Sequence, residues 1–398
     1  MTTIFKHIKG DKYIWAIIAL LALFSFLPVF SASSNLANLY GKSPMLLLLK
    51  HAVHLAMGFG FMYGVHKMPS HYFKRLSIIG LPFVIVLLVY TLAKGSTIGG
   101  ANASRWIQVP FVGVSFQTST LAALVLMVYV AQYLANIKNK VVTFKISFIK
   151  LWIPVGTILI LILPANFSTT AIIFTMILML TFVGGYPIKY LSVILGAGLV
   201  FLLLFGLAAK AFPDAFPNRV ETWISRVENF ANGEDTEEDY QIERAKMAIA
   251  SGGLTGLGPG KSVQKNFLPQ SSSDFIYAII VEEWGMIVGV AILLLYLFLL
   301  FRMIVLINKT TDLFGKFVVI GVGFPIIFQA FINMAVATEL FPVTGQTLPL
   351  ISSGGTSIWM TCIALGIVLS VSGNTKEAVK KVKLKQTDNP LDVLKEAM

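Results

Sequence analysis

The sequence predicts an all-α membrane protein of ten transmembrane helices, with both termini cytoplasmic and a large extracytoplasmic loop between the seventh and eighth helices. Three observations predict it. Of the 398 residues, 56% are hydrophobic and only 13% charged, where a soluble domain carries about a quarter charged residues. Ten apolar runs come near or pass the roughly 20 residues that a bilayer-spanning helix needs. Lys and Arg concentrate in alternate connections between those runs. A mean hydropathy of +0.79 excludes a disordered tail, a collagen-like fibre and an ordinary cytosolic enzyme. The net charge is +12, from 31 basic and 19 acidic residues. In a nucleic-acid binder that excess gathers on one solvated face. Here it is divided among short segments between apolar runs, which speaks for membrane topology and against a nucleic-acid partner.

The ten runs are 13–30, 45–65, 76–93, 116–136, 147–163, 168–184, 188–209, 275–301, 314–340 and 350–372. The first is too long for a signal peptide and lacks a small-residue cleavage site. The fifth and sixth meet at the turn Pro164-Ala165-Asn166. Pro28, Pro82, Pro154 and Pro325 lie within or near the runs, where neighbouring helices can satisfy the backbone groups they free. Twenty of the 31 basic residues fall in the N-terminus, the even-to-odd connections and the C-terminal tail. The positive-inside rule puts those segments in the cytoplasm, and an even number of spans requires the same of the termini. Residues 1–372 then form one ten-span domain and 373–398 a basic cytoplasmic tail, resting on anionic lipid headgroups or simply solvated.

The loop 211–274 carries ten acids and six bases. Pro217 to Phe230 reads as an amphipathic helix with Val220, Trp223, Ile224, Val227 and Phe230 on one face, lying in the membrane interface or packed on the bundle. The run Gly233 to Asp239 reads as a solvated turn, since it lacks the spacing of a calcium loop. Ser251 to Gly260 is glycine-rich but lacks the Gly-Lys-Ser/Thr ending of a phosphate loop, and Pro259 removes a backbone donor. Cys362, the single cysteine, excludes an internal disulfide and a cysteine-based metal cluster.

Chemistry-bearing residues collect at outer span ends. Asp274 stands at the mouth of the eighth run, as a helix cap or as a catalytic carboxylate. Glu282 and Glu283 lie two turns deeper; adjacent residues point in different directions, so at most one should face a given cavity. Arg105, followed by Trp106, either grips a phosphate or snorkels beside an interfacial Trp. Phe341 to Pro349, leading into Ser352-Ser353-Gly354-Gly355, is an irregular re-entry into the membrane, tolerated where it lines a cavity or is buried in protein. His51 and His54 read as packing residues, having no third partner for a metal.

In this order among ten spans, these segments resemble the SEDS family (FtsW, RodA and SpoVE), and the FtsW branch most. The resemblance runs from about residue 10 to 372. Its carriers are Ala103 to Ile107 with Gln117; Tyr240-Gln241; Gly252 to Gly258; Ser262 to Lys265 with Leu268-Pro269; Asp274-Phe275-Ile276; Glu282 to Gly285; Asn333; and Pro342 to Gly345 with Leu348-Pro349 and Ser352 to Gly355. It implies a peptidoglycan glycosyltransferase in the bacterial inner membrane that polymerises lipid II in the division machinery, beside a class B penicillin-binding protein. It implies Asp274 as the catalytic carboxylate. Arg105, Lys265, Arg244, Gln241, Ser352, Ser353 and Gln346 then bind substrate, and Trp106, Glu282, Glu283 and Asn333 support them. No cofactor is specified, no metal ligand is assigned, and a divalent cation is left open. Two other readings stay open: a lipid II flippase, which needs a polar path across the membrane, and a non-catalytic division scaffold. The chain departs from its relatives at Thr120 and Ala123, where many carry a Glu and a Lys, at Ala165, where Asp is usual, and at Gln270, where Glu is expected. Losing both members of a buried ion pair can be neutral, whereas losing one is expensive.

Overall fold

The computed structural model describes residues 9–39, 43–95, 105–108, 115–138, 140–211 and 237–387. The described residues are mainly helical. We number the helices α1 (Lys12–Leu39), α2 (Pro44–Lys67), α3 (Ser70–Lys94), α4 (Thr118–Ile137), α5 (Phe144–Ile162), α6 (Phe167–Val183), α7 (Ile188–Ala211), α8 (Glu237–Gly252), α9 (Ile276–Lys309), α10 (Leu313–Ala337) and α11 (Thr356–Thr387). Nine of them are long and apolar enough to cross a membrane. The shorter apolar α6 has 17 residues, and α8 is amphipathic. The chain is therefore a multi-pass membrane protein.

Helix starts follow their caps. Ser43 accepts from the N–H of Met45 with Pro44 in the first turn of α2. Asn166 accepts from Thr169 N–H to open α6, and Asp312 from Gly315 N–H to open α10. Such caps satisfy donors that have no partner within the helix. Within α5, Phe148–Trp152 is a π-helical turn. α10 sits at the centre, packed against α4, α6, α9 and α11. Conversely, α7 lies at the edge, where Leu199, Val200, Leu203 and Leu204 are exposed; in a bilayer such side chains contact lipid.

Several boundaries differ from the sequence expectation. The ninth run ends at Ala337 rather than 340, and the tenth helix starts at Thr356 rather than 350. The prolines and glycines between them hold residues 341–355 in irregular backbone. α11 continues past 372 to Thr387, so the expected tail begins as helix. A two-stranded antiparallel hairpin, β1 (Trp106–Gln108) and β2 (Ser115–Gln117), was not anticipated in an all-α chain. Nor was α8, although Ile242, Ala245 and Ala248, all buried, mark its inner stripe. The helix expected over Pro217 to Phe230 lies outside the described residues, as do residues 233–236 of the acidic run; Glu237 opens α8.

One end of the bundle gathers the N-terminus, the α2–α3 turn, the α9–α10 turn and the far part of α11. Ser370 Oγ donates to the Met68 carbonyl at 2.5 Å, Asn374 Nδ2 to Ser70 Oγ at 3.1 Å, and Thr310 and Thr375 hydroxyls meet at 3.2 Å. These are segments the basic residues assign to one side; we call this the basic end. Asp11 anchors it. Its Oδ1 accepts from Tyr13 N–H at 2.8 Å and Ile14 N–H at 3.3 Å, and its Oδ2 pairs with Arg302, which stacks on the Tyr13 ring. Burial pushes the Asp11 carboxyl up, but the Arg302 hydrogen bond and charge and the two N–H groups outweigh it and hold it below the ordinary 3.8. A lowered carboxylate pKa adds stability above the unfolded value, lost as pH falls through the folded one. Asp11→Ala is therefore expected to lower stability by about 1–2 kcal/mol at pH 7, with the difference from wild type shrinking below pH 3.8. Thermal unfolding in detergent across that range checks it.

Candidate functional site

Asp274 sits where the opposite, loop end of the bundle folds back on itself. The chain from Leu268 turns tightly, with Ser273, Asp274 and Phe275 N–H groups all directed at the Gln270 carbonyl. α9 is capped by Phe275, with no side-chain cap bond. Among the described residues the Asp274 carboxylate accepts no hydrogen bond from the N–H groups that open α9, which speaks against a capping role. Instead its main chain is held. Asn333, 1% exposed in α10, donates from Nδ2 to the Asp274 carbonyl and to the Gln346 carbonyl, each at 2.7 Å. That single amide joins the start of α9 to the irregular segment 341–355. The half-buried carboxylate lies beside Gly345, whose φ is +66°; a Cβ there would stand 3.5 Å from Asp274 Oδ2. A glycine suits both the backbone and the approach.

The neighbouring residues continue this fabric. Ser352 Oγ donates to the Ser273 carbonyl at 2.6 Å and accepts from Leu348 N–H at 2.7 Å. Ser353 N–H reaches the Ser272 carbonyl at 2.9 Å while its side chain stays exposed. Ser352, 1% exposed, thus braces the Asp274 turn. Gln346 Nε2 donates to Thr169 Oγ1 at 3.2 Å, and Thr169 is capped by Asn166. One residue before that cap, the Ala165 carbonyl accepts from Arg105 Nε at 2.7 Å. Arg105, at the edge of the hairpin that Trp106 opens, is so linked to Asp274 through the α5–α6 turn and the irregular segment. A cavity of about 20 Å³ adjoins it, lined by Thr91, Arg105, Thr118, Ser119 and Asn166, enough for roughly one water.

Below the Asp274 turn, the chain is locked onto α9. Gly285 has φ 79° and ψ 173°, breaking that helix. Against the break lies the glycine-rich turn. A Cβ on Gly252 would meet the Val281 carbonyl oxygen at 2.1 Å, and one on Gly256 the Glu283 carbonyl oxygen at 2.3 Å. The glycines thus serve backbone-to-backbone contact. Glu282 takes Ser262 Oγ on Oε2, with Val263 N–H at 2.9 Å and Gln264 N–H at 3.2 Å on Oε1. Glu283 Oε1 accepts from Ser31 of α1 and from Ser262 N–H at 3.3 Å. Adjacent acids were expected to diverge, but both hold the 262–264 turn, because that turn wraps over the helix face between them. Both are fully buried.

Lys265 belongs to the same lock. It is 9% exposed, and its Nζ donates to the Gly260 carbonyl at 2.8 Å and Ser31 Oγ at 3.1 Å. The ammonium thus ties the 260–265 segment to α1. Arg244 differs. Half-buried on α8, its guanidinium lies 4.7 Å from the Tyr240 ring centre and 4.9 Å from that of Phe267, and no ion pair to it is formed among the described residues. Gln241 is half-buried on the same helix. Thr120, where the family resemblance implies Glu, turns its hydroxyl back to the Gln117 carbonyl at 2.7 Å, and Ala123, where it implies Lys, is half-buried; neither position strands a charge. His51 bonds Ser25 at 2.8 Å and His54 packs on Trp359. No three His, Cys, Asp or Glu side chains gather to hold a metal among the described residues.

Together these features define a polytopic membrane protein whose polar machinery is assembled at one end of its bundle from α8–α11, the hairpin and the α5–α6 turn. The profile of the cell cycle protein family FtsW/RodA/SpoVE matches residues 11–377, and the chain belongs to that family. A relative from Hydrogenovibrio crunogenus, named "Probable peptidoglycan glycosyltransferase FtsW", is 33% identical over 379 residues, 93% of each chain. One of the same name from a Geobacter species is 30% identical over 381 residues, covering 94% of this chain and 100% of the relative. Among solved structures, a chain from a study of how a peptidoglycan synthase complex coordinates polymerization and crosslinking is similar at TM-score 0.71 and 25% identity, covering 92% of this chain and 98% of that one. The rod shape determining protein RodA of Thermus thermophilus shares the fold at TM-score 0.65 and 24% identity, over 91% and 96% of the two chains.

Proposed function

We propose that this protein is a peptidoglycan glycosyltransferase that polymerises lipid II on the outer face of the bacterial cytoplasmic membrane, in ten spans with α6 as one of them and both termini inside. The observation that carries the reading is Asp274. Its main chain is clamped by Asn333 and its carboxylate borders a glycine at the loop end, without serving as a helix cap. A base in this reaction takes the proton from the acceptor sugar's 4-hydroxyl as that oxygen bonds to the donor's anomeric carbon. The bond from that carbon to the polyprenyl pyrophosphate breaks at the same time, and the electron pair leaves with the pyrophosphate. A carboxylate within hydrogen-bond reach supplies the first role. Arg105 and Arg244 are suited to the second, since a guanidinium fork matches phosphate oxygens. Lys265 holds the 260–265 segment against α1 in this reading.

The relatives' names support the polymerase reading and the FtsW branch, hence division. The polymerization and crosslinking complex supports a transpeptidase of the class B penicillin-binding type as partner. The test is glycan formation from purified lipid II by the purified protein, with and without that partner, resolved by gel. Polymer ladders are expected. Lipid II translocation in vesicles without polymer in either condition would return the flippase reading.

A further inference from the structure

We propose that the glycine-rich turn 252–260 is a rigid membrane ledge, with Leu254 and Leu257 seated in the acyl chains of the outer leaflet and Lys261 at the level of the lipid phosphates. The argument begins with α9. Beyond the break at Gly285 it runs unbroken to Lys309, roughly 36 Å at 1.5 Å per residue. That alone spans the hydrocarbon core of about 30 Å. Its far part carries Arg302, paired with Asp11 at the basic end. The break therefore falls near the outer edge of the hydrocarbon, and residues 276–283, all buried, pack within the protein above it.

The glycine-rich turn is fastened at this level. Met286 N–H donates to the Gly253 carbonyl at 2.9 Å and Ile287 N–H to that of Leu254 at 3.3 Å. Leu257 N–H donates to the Glu282 carbonyl at 2.9 Å. Ile287, Val290 and Leu294 form the exposed apolar side of α9 just below. Leu254, 72% exposed, and Leu257 extend that apolar side across the turn. An apolar side chain at such a site gains by leaving water for lipid. Lys261, exposed and following Gly260, supplies the cation that anionic headgroups attract. The ledge cannot lift away easily, because the glycine contacts leave no space between its backbone and α9.

The test reads depth rather than activity, so it stands or falls apart from the polymerase reading. Single cysteines replace Leu254, Leu257, Ile287 (lipid standard) and Glu243 (aqueous standard) in a Cys362→Ala background, and each carries an environment-sensitive fluorophore. The full chain is placed in nanodiscs of phosphatidylcholine and phosphatidylglycerol, with or without 5-doxyl phosphatidylcholine. Labels at 254 and 257 are expected to be quenched by the doxyl lipid at least half as strongly as at 287, and by aqueous iodide at least threefold less than at 243. Iodide quenching equal to position 243, with no doxyl quenching, overturns the proposal. Both positions are exposed, and should one variant lose thermal stability, the other decides the matter by the same criteria.

Discussion

Asp274→Asn should lower glycan polymerisation by roughly 10²–10⁴, the usual worth of a general base, while leaving folding intact. Asn keeps the size and shape of Asp but cannot accept a proton near neutral pH. The clamp at this residue uses its main-chain carbonyl, which Asn333 holds at 2.7 Å, so the substitution leaves that bond in place. The helix start does not depend on the side chain either, because α9 has no side-chain cap. Thermal stability of the variant should therefore match wild type within about 0.5 kcal/mol. The measurement is polymer formed per unit time from lipid II by monodisperse wild type and variant of equal stability. Polymerisation close to wild type by Asp274→Asn would remove the base from the proposed mechanism.

Glu282→Ala should have the largest effect on the fold of the site. The carboxylate is fully buried and accepts from Ser262 Oγ, Val263 N–H and Gln264 N–H. Removing it leaves three donors without their acceptor, at about 1–3 kcal/mol for each that finds no replacement. A loss of at least about 3 kcal/mol is expected on that basis, with polymerisation falling because the 262–274 segment no longer holds Asp274 in place. Glu282→Gln retains an acceptor oxygen for the two N–H groups and should recover part of the stability. Thermal unfolding and hydrogen exchange at 262–266 read the effect. Unchanged protection there in Glu282→Ala would mean that the lock does not depend on this carboxylate.

The apolar runs were legible because a span buries no information about its partners: length and composition suffice to mark it. The caps at Ser43, Asn166 and Asp312 each act on their own helix, but the structure, not the run pattern, brought them out. The hairpin was missed because its strands are three residues each, too short for alternation to stand out. What fastens it is remote: Gln117 N–H and the Ser115 carbonyl both meet Thr356 Oγ1 of α11. α8 was missed because two of the three residues in its buried stripe, Ala245 and Ala248 beside Ile242, are small and carry little hydrophobic signal.

Which site residues could do chemistry, and that they lie at span ends, was legible before the fold, since both follow from residue type and position along a run. Which partners they meet depends on the tertiary structure. Ser352 and Lys265 carry groups able to bind a substrate, yet their partners, the Ser273 carbonyl for one and Ser31 for the other, lie 79 and 234 positions away along the chain. Asp274 is the converse. As a residue at a helix mouth it reads as a cap, and only the fold, by giving that position to Phe275 and clamping the main chain through Asn333, leaves the carboxylate out of the capping role. A side chain's chemistry is local, but what it is left to do depends on which donors and acceptors the packed chain brings within 3 Å of it.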